Sequence, residues 1–278
     1  VNSHADRNSV EAARRWIANQ VVSQLAVWPS PESVVISSNH AVYQTPDGPM
    51  FGTTRVLKVL GLSTEPLIRW ASGVEKSAAL EACAGLWASA SAFQSGQDFA
   101  KAVEAAMGTA RQHQKQMQKA AEIGTAVHAA VHDYLSGRDL LDLQAPAYTA
   151  FKGFLSWWKE SGLKAIRMEQ PVWDKQDGYA GTIDLVAEHP EKGLGVIDFK
   201  TSKSVYDDHH LQVSAYLHAS RNFADVKWAQ IVRLPKTASD PGFEVKDLGS
   251  MYGRDLTPER LLEAFRGALA AYRVLVAR

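Results

Sequence analysis

The residues with the most chemical potential lie in one stretch, GYAGTIDLVAEHPEKGLGVIDFKTSK, from Gly178 to Lys203. Two short β-branched runs each carry an acid near the centre, Asp184 and Asp198, and Lys200 stands two places beyond the second. Turn chemistry brackets both runs, DKQDG before the first and HPEKG between them, as in a hairpin. Side chains alternate along a strand, so Val196, Asp198 and Lys200 share one face while Ile197 and Phe199 share the other. In the first run Thr182, Asp184 and Val186 oppose Ile183 and Leu185 in the same way. Folding at HPEKG brings Asp184 and Asp198 together on one surface. Carboxylates so placed repel unless a cation lies between them. Oxygen ligands of this kind suit a hard divalent ion, Mg²⁺ or Mn²⁺. The plainer alternative for Asp198 and Lys200 is a solvated ion pair on an exposed sheet face.

The elements that position these residues carry further polar groups. Glu169 falls within IRMEQPVW, on the strand before the hairpin. In EIGTAVHAAVHDYL, His128 shares a helical face with Gly124, Val131 and Leu135. A glycine inside a helix costs roughly 1 kcal/mol relative to alanine, so Gly124 points to close backbone approach. Gln212 and Tyr216, at i and i+4 in QVSAY, project from one face of a later helix.

Around them the pattern predicts an amphipathic helix over residues 9–28, stopped by PSP, and two strands in SVVISSNHAVYQTPDGPMF. From residue 53 to HDYLSG it is helical, with Gly61 and Gly137 as C-terminal caps. The helix PAYTAFKGFLSWWKESG leads into the strand KAIRMEQPVWD and the hairpin. The helix DDHHLQVSAYLHAS, the strands VKWAQIVRLP and FEVKDLG, and a last helix over 257–277 complete the chain. This order predicts an α/β fold, a central mixed sheet flanked by helices. It divides into residues 1–115, an N-terminal helix, small strand pair and helical cover, and residues 116–278, which hold the sheet.

The ordered set GTAVH, Glu169, GTIDL, DFK and QVSAY closely resembles the RecB-like branch of the PD-(D/E)XK nucleases, over about residues 118–220. DFK alone occurs by chance in many proteins, whereas five motifs in order on suitable elements are specific. The resemblance implies that Asp184 and Asp198 ligate the metal, with the Phe199 carbonyl as a third oxygen and His128 joining the shell. It implies that Lys200 positions and helps deprotonate the attacking water or stabilises charge on the phosphate. Glu169 matches a more variable acid, and Gln212 and Tyr216 hold the phosphate or brace the lysine, with Thr201 beside them at the nucleic acid. Several RecB-like relatives carry four cysteines around an iron–sulfur cluster. Cys83 is the only cysteine here, which implies the cluster-free, phage-related exonuclease type. The expected substrate is DNA with single-stranded or frayed duplex ends. An endonuclease of the same fold and a non-catalytic nucleic-acid-binding module are the alternatives.

Composition narrows the field. Lys+Arg and Asp+Glu both total 30 in 278 residues, so any polyanion contact must be a local patch. RQHQKQMQK, with Arg111, Lys115 and Lys119 and no acid, is either a solvated helix face or the track of a DNA strand. The expected arrangement packs the helical segment over the metal face, so that a single strand is threaded to it. Trp157 and Trp158 are candidates for base stacking, although neighbours on a helix point different ways and at least one belongs to the core. His128 and His132 share the spacing of zinc metalloproteases, but AAV between them lacks the glutamate base. His209, His210 and His218 read as helix caps and decoration. No apolar run reaches membrane-spanning length, and VNSHADRNSV lacks a signal-peptide core. Starting without Met, the chain reads as processed or trimmed, and cytoplasmic or phage-encoded.

Overall fold

The protein is described by a computed structural model that covers residues 28–37, 40–62, 64–108, 111–139, 142–237, 239–251 and 254–277. The helix expected over 9–28 lies outside these apart from Trp28. One compact unit runs from Gly61 to Val127, and the chain on either side of it forms the other. The division expected at residue 115 therefore shifts, because the strand pair placed in the N-terminal part joins the main sheet.

That sheet has eight strands: β1 (Val35–Ile36), β2 (Val42–Thr45), β3 (Gly48–Gly52), β4 (Lys164–Asp174), β5 (Tyr179–His189), β6 (Gly193–Lys200), β7 (Val226–Arg233) and β8 (Glu244–Asp247). It is mixed. β1 to β3 form an antiparallel meander, β4, β5 and β6 pair antiparallel in turn, and β3 with β5 and β6 with β7 run parallel. A short hairpin of β9 (Ser250–Met251) and β10 (Arg254–Asp255) follows β8.

Helices flank the sheet. α1 (Thr53–Leu57) continues directly from β3, and α2 (Thr64–Trp87) and α3 (Gly96–Met107) belong to the smaller unit. α4 (Gln112–Leu135) belongs to that unit up to Val127 and to the sheet unit from His128 onward. It ends in a Schellman motif at Gly137, φ 68°, where Gly137 donates to Tyr134 O and Arg138 to Asp133 O. α5 (Ala147–Ser161) places Phe154 and Trp157 against Phe199 of β6, with ring centroids 5.6 and 5.4 Å apart. α6 (Asp207–Ser220) and α7 (Pro258–Leu275) bury Val213, Leu217, Phe265 and Leu269 with Ile183, Val196 and Ile231 of the sheet. In the smaller unit Glu75 of α2 accepts the His113 backbone N–H at 3.0 Å and meets its Nδ1 at 2.7 Å, capping the start of α4. No helix among the described residues is long and apolar enough to cross a membrane.

Candidate active site

The sheet forks along one edge of β5. Its first residues, Tyr179 and Ala180, pair with β3, and its last five, from Leu185, pair with β6. Between them, Gly181 to Asp184 have no paired residue on that side, and the C-terminal ends of β3 and β6 converge on this gap. The carboxyl ends of diverging strands are where open α/β sheets commonly bind ligands. The candidate residues collect here.

The registers set three acids in a row. β4 pairs Met168 with Leu185 and Gln170 with Ile183, so Glu169 lies across from Asp184. β6 pairs Ile197 with Leu185, and one step further the same register sets Asp198 across from Asp184. Strands lie about 4.8 Å apart, and like charges directly opposite one another destabilise a sheet. Two devices offset the repulsion. Asp184 meets His128 Nδ1 at 3.3 Å and accepts the Phe199 N–H at 2.7 Å. Asp198 pairs with the Lys200 ammonium at 2.7 Å. Lys200 also donates to Gln212 Oε1 at 3.1 Å, and Gln212 Nε2 donates to the Tyr216 hydroxyl at 2.7 Å and to Thr54 Oγ1 at 3.4 Å. Gln212 and Tyr216 thus brace the lysine from α6. Gly181 makes room for them, because a Cβ there would come within 2.1 Å of the Tyr216 ring.

Charge states follow from these contacts. Asp184 attracts a proton to the His128 imidazole and, against burial, raises it to about 9, with Glu169 and Asp198 adding to the effect. Burial pushes Glu169 up to about 7, and Asp184 adds to the shift. Burial also raises Asp198 to about 6, with Lys200 opposing and Asp184 assisting. For Asp184 burial acts upward, but His128, Lys200 and the Phe199 N–H hold it below its usual value. Lys200 is raised despite its burial, because Asp198 and Asp184 face it.

Ligand atoms of His128, Glu169 and Asp184 all lie within 4.8 Å of one another, which is a spacing that one metal ion can bridge. The grouping departs from the expected set in one respect. Glu169 takes a place in the cluster while the Asp198 carboxylate turns to Lys200. The part of Phe199 seen here is its N–H on Asp184, and its ring packs edge-on to His128 with centroids 6.4 Å apart. Thr201 is half-buried just after β6. Arg111, Lys115 and Lys119 are exposed and belong to the smaller unit. Trp157 is core, and Trp158 stacks on Phe154 with ring centroids 6.2 Å apart. His132 bonds Arg138 outside the cluster, and His209 Nδ1 accepts the Tyr206 N–H at 3.1 Å as a helix cap.

A second acidic group, Asp174, Asp177 and His218, is a turn clamp. Asp174 accepts the Asp177 N–H at 2.6 Å and the Asn222 amide at 3.2 Å, while Asp177 pairs with Arg266 at 2.7 Å.

Sequence reasoning missed the contribution of the first three strands. Tyr43 of β2, His40 of the β1–β2 turn and Thr54 of α1, which continues from β3, reach the fork from a region that carries no motif, through a β3–β5 pairing of only two residues. No model of a known protein family matches the chain, and no curated protein matches it.

Proposed function

We propose that this protein is a metal-dependent DNA nuclease of the RecB-like PD-(D/E)XK type, hydrolysing phosphodiester bonds at the fork of the sheet. The observation that carries the reading is the row of Glu169, Asp184 and Asp198 across three adjacent strands, with Lys200 held beside it. Carboxylates so gathered need positive charge about them, of which His128 and Lys200 supply part and a bound cation would supply the rest.

The residues fit a hard divalent cation. Glu169, Asp184 and His128 offer converging ligand atoms, and the buried Asp198 carboxylate stands beside them, its Oδ2 2.7 Å from the Lys200 ammonium. His128, Glu169 and Asp184 would hold the ion, with Asp198 completing its surroundings. Bound there, Mg²⁺ or Mn²⁺ supplies Lewis-acid activation of the phosphate and of the attacking water. Lys200, protonated in this geometry, is placed to stabilise charge that develops on the phosphate. That favours charge stabilisation over proton abstraction for the lysine. Gln212 and Tyr216 keep its ammonium on the acid row.

The same resemblance supports an exonuclease acting on single-stranded or frayed ends. The test is incubation with end-labelled linear and covalently closed circular single-stranded DNA, with Mg²⁺, Mn²⁺ or EDTA. The expected result is short products from the linear form with either metal and none with EDTA. Equal cutting of the circle would make the enzyme an endonuclease, and no cutting with either metal would overturn the nuclease reading.

A further inference from the structure

Beside the acid row stands a hydrogen-bonded chain with no role in the chemistry so far. His40 Nδ1 lies 3.2 Å from the Tyr43 hydroxyl, which lies 3.4 Å from Thr182 Oγ1. Thr182 precedes Asp184 by two residues on β5, so both side chains leave the same face. Tyr43 is 3% exposed, whereas His40 is exposed, so the chain leads from β5, the strand of Asp184, to solvent. Burial pushes the Tyr43 hydroxyl up, and although Thr182 opposes this, the nearby Glu169 carboxylate adds to it.

The backbone at His40 is built for this position. Among the described residues, the non-glycine residues with positive φ are Glu169 at 47° and His40 at 52°. Such a conformation is costly for a residue with a side chain and persists only where its surroundings enforce it. Here His40 N–H donates to Ser37 O at 2.9 Å, and Ser37 Oγ accepts the Ala41 and Val42 N–H groups at 3.0 Å each. Gly52 of β3 gives way to the His40 carbonyl, since a Cβ there would stand 1.8 Å from that oxygen. Both strained residues border the same fork, one on each side of Thr182 and Asp184.

We propose that His40 binds a phosphate of the substrate strand adjacent to the one cleaved, its Nε2–H donating to a non-bridging oxygen. Tyr43 donates to Nδ1 and so fixes the tautomer that leaves Nε2–H free, and Thr182 in turn donates to Tyr43. The orientation of the imidazole is thereby set from β5, the strand that carries Asp184. The inference rests on the nuclease reading and deepens it. The meander of β1 to β3 becomes part of the substrate site.

The test is steady-state kinetics on single-stranded oligonucleotides carrying one methylphosphonate at each position flanking the cut in turn. His40→Ala is expected to raise KM about ten-fold, the worth of one hydrogen bond to a charged group, with kcat changed less than about two-fold. His40→Gln, which keeps an N–H donor, recovers part of the loss. Tyr43→Phe, which retains the ring and removes the hydroxyl, gives part of the same KM rise. At one position the methylphosphonate should raise the wild-type KM to that of His40→Ala and leave the variant's own KM unchanged. Penalties that multiply at every position, or a variant that loses kcat at constant KM, overturn the proposal. A wild-type protein that cuts none of these substrates refutes the nuclease reading and this inference with it. Normal wild-type cutting with an unaltered His40→Ala variant refutes the inference alone.

Discussion

Glu169 shows how much one residue carries. It stands across from Asp184 with φ 47°, so it brings both like-charge repulsion and backbone strain to the strand. Glu169→Gly removes the carboxylate and makes the conformation cheap. Without metal the variant is expected to be more stable than wild type by about 1 kcal/mol, or about 2 °C in melting temperature. Its affinity for Mn²⁺ should fall. A lower metal-free melting temperature would mean that neither strain nor repulsion is stored there. His128 supplies the pH dependence. Asp184 raises its imidazole to about 9, so near neutrality it holds a proton that a metal must displace. Mn²⁺ affinity should therefore rise with pH up to about 9, and calorimetry at pH 7 should detect proton release. His128→Ala should weaken binding and reduce that release to what Glu169, itself raised to about 7, contributes. An affinity indifferent to pH would return His128 to a packing role.

At the scale of elements, the pairing of α6 with β5 depends on a missing side chain. Gly181→Ala would drive a methyl into the Tyr216 ring and displace the residue that steadies Gln212. Overpacking of this kind typically costs about 1–3 kcal/mol. Chemical denaturation of Gly181→Ala should show a loss in that range, and an unchanged midpoint would mean that the ring is free to move. The β4–β5 turn gives a separate acid sensitivity. A hydrogen bond from His218, opposed by burial and joined by Asp177 N–H and Asn222, holds the Asp174 carboxyl down to about 2. Because the folded value lies below the unfolded one of about 3.9, the stabilisation is fully present above that pH. It is lost as pH falls through about 2, and amounts to something on the order of 2 kcal/mol. Wild type should lose more stability than Asp174→Asn over that window, and parallel curves would show the clamp to be idle. Much of this scale was legible in the chain. β4 spans KAIRMEQPVWD and α6 spans DDHHLQVSAYLHAS as expected, since alternation, turn residues and an acidic first turn are local signals. The fork was not legible. The β3–β5 contact joins residues far apart in sequence through two pairs, and nothing local announces a parallel pairing of that length. For the same reason the candidate site could be read for Asp184, Lys200 and Gln212 but not for Tyr43 or Thr54. The turn of Asp198 toward Lys200, which leaves Glu169 in the cluster, also depends on packing and not on spacing.

For the whole molecule, the sheet unit gathers the acids, the lysine and the His40–Tyr43–Thr182 chain around one fork, while the helices between Gly61 and Val127 form a unit of their own. Arg111, Lys115 and Lys119 of that smaller unit are exposed, as a strand-tracking surface requires. Lys200 is the residue on which the proposed nuclease and a DNA-binding module differ, its ammonium being held on the acid row by Asp198 and by Gln212, which Tyr216 braces. The most direct measurement compares the cleavage rate of labelled single-stranded DNA in Mn²⁺ by wild type and by Lys200→Ala, with DNA affinity in EDTA measured on both. Cleavage by wild type, a loss of at least about a hundred-fold in Lys200→Ala, and closely similar affinities are the expected result, a loss of transition-state stabilisation alone. Equal cleavage by the two proteins, or none by wild type, would contradict a catalytic site at this fork.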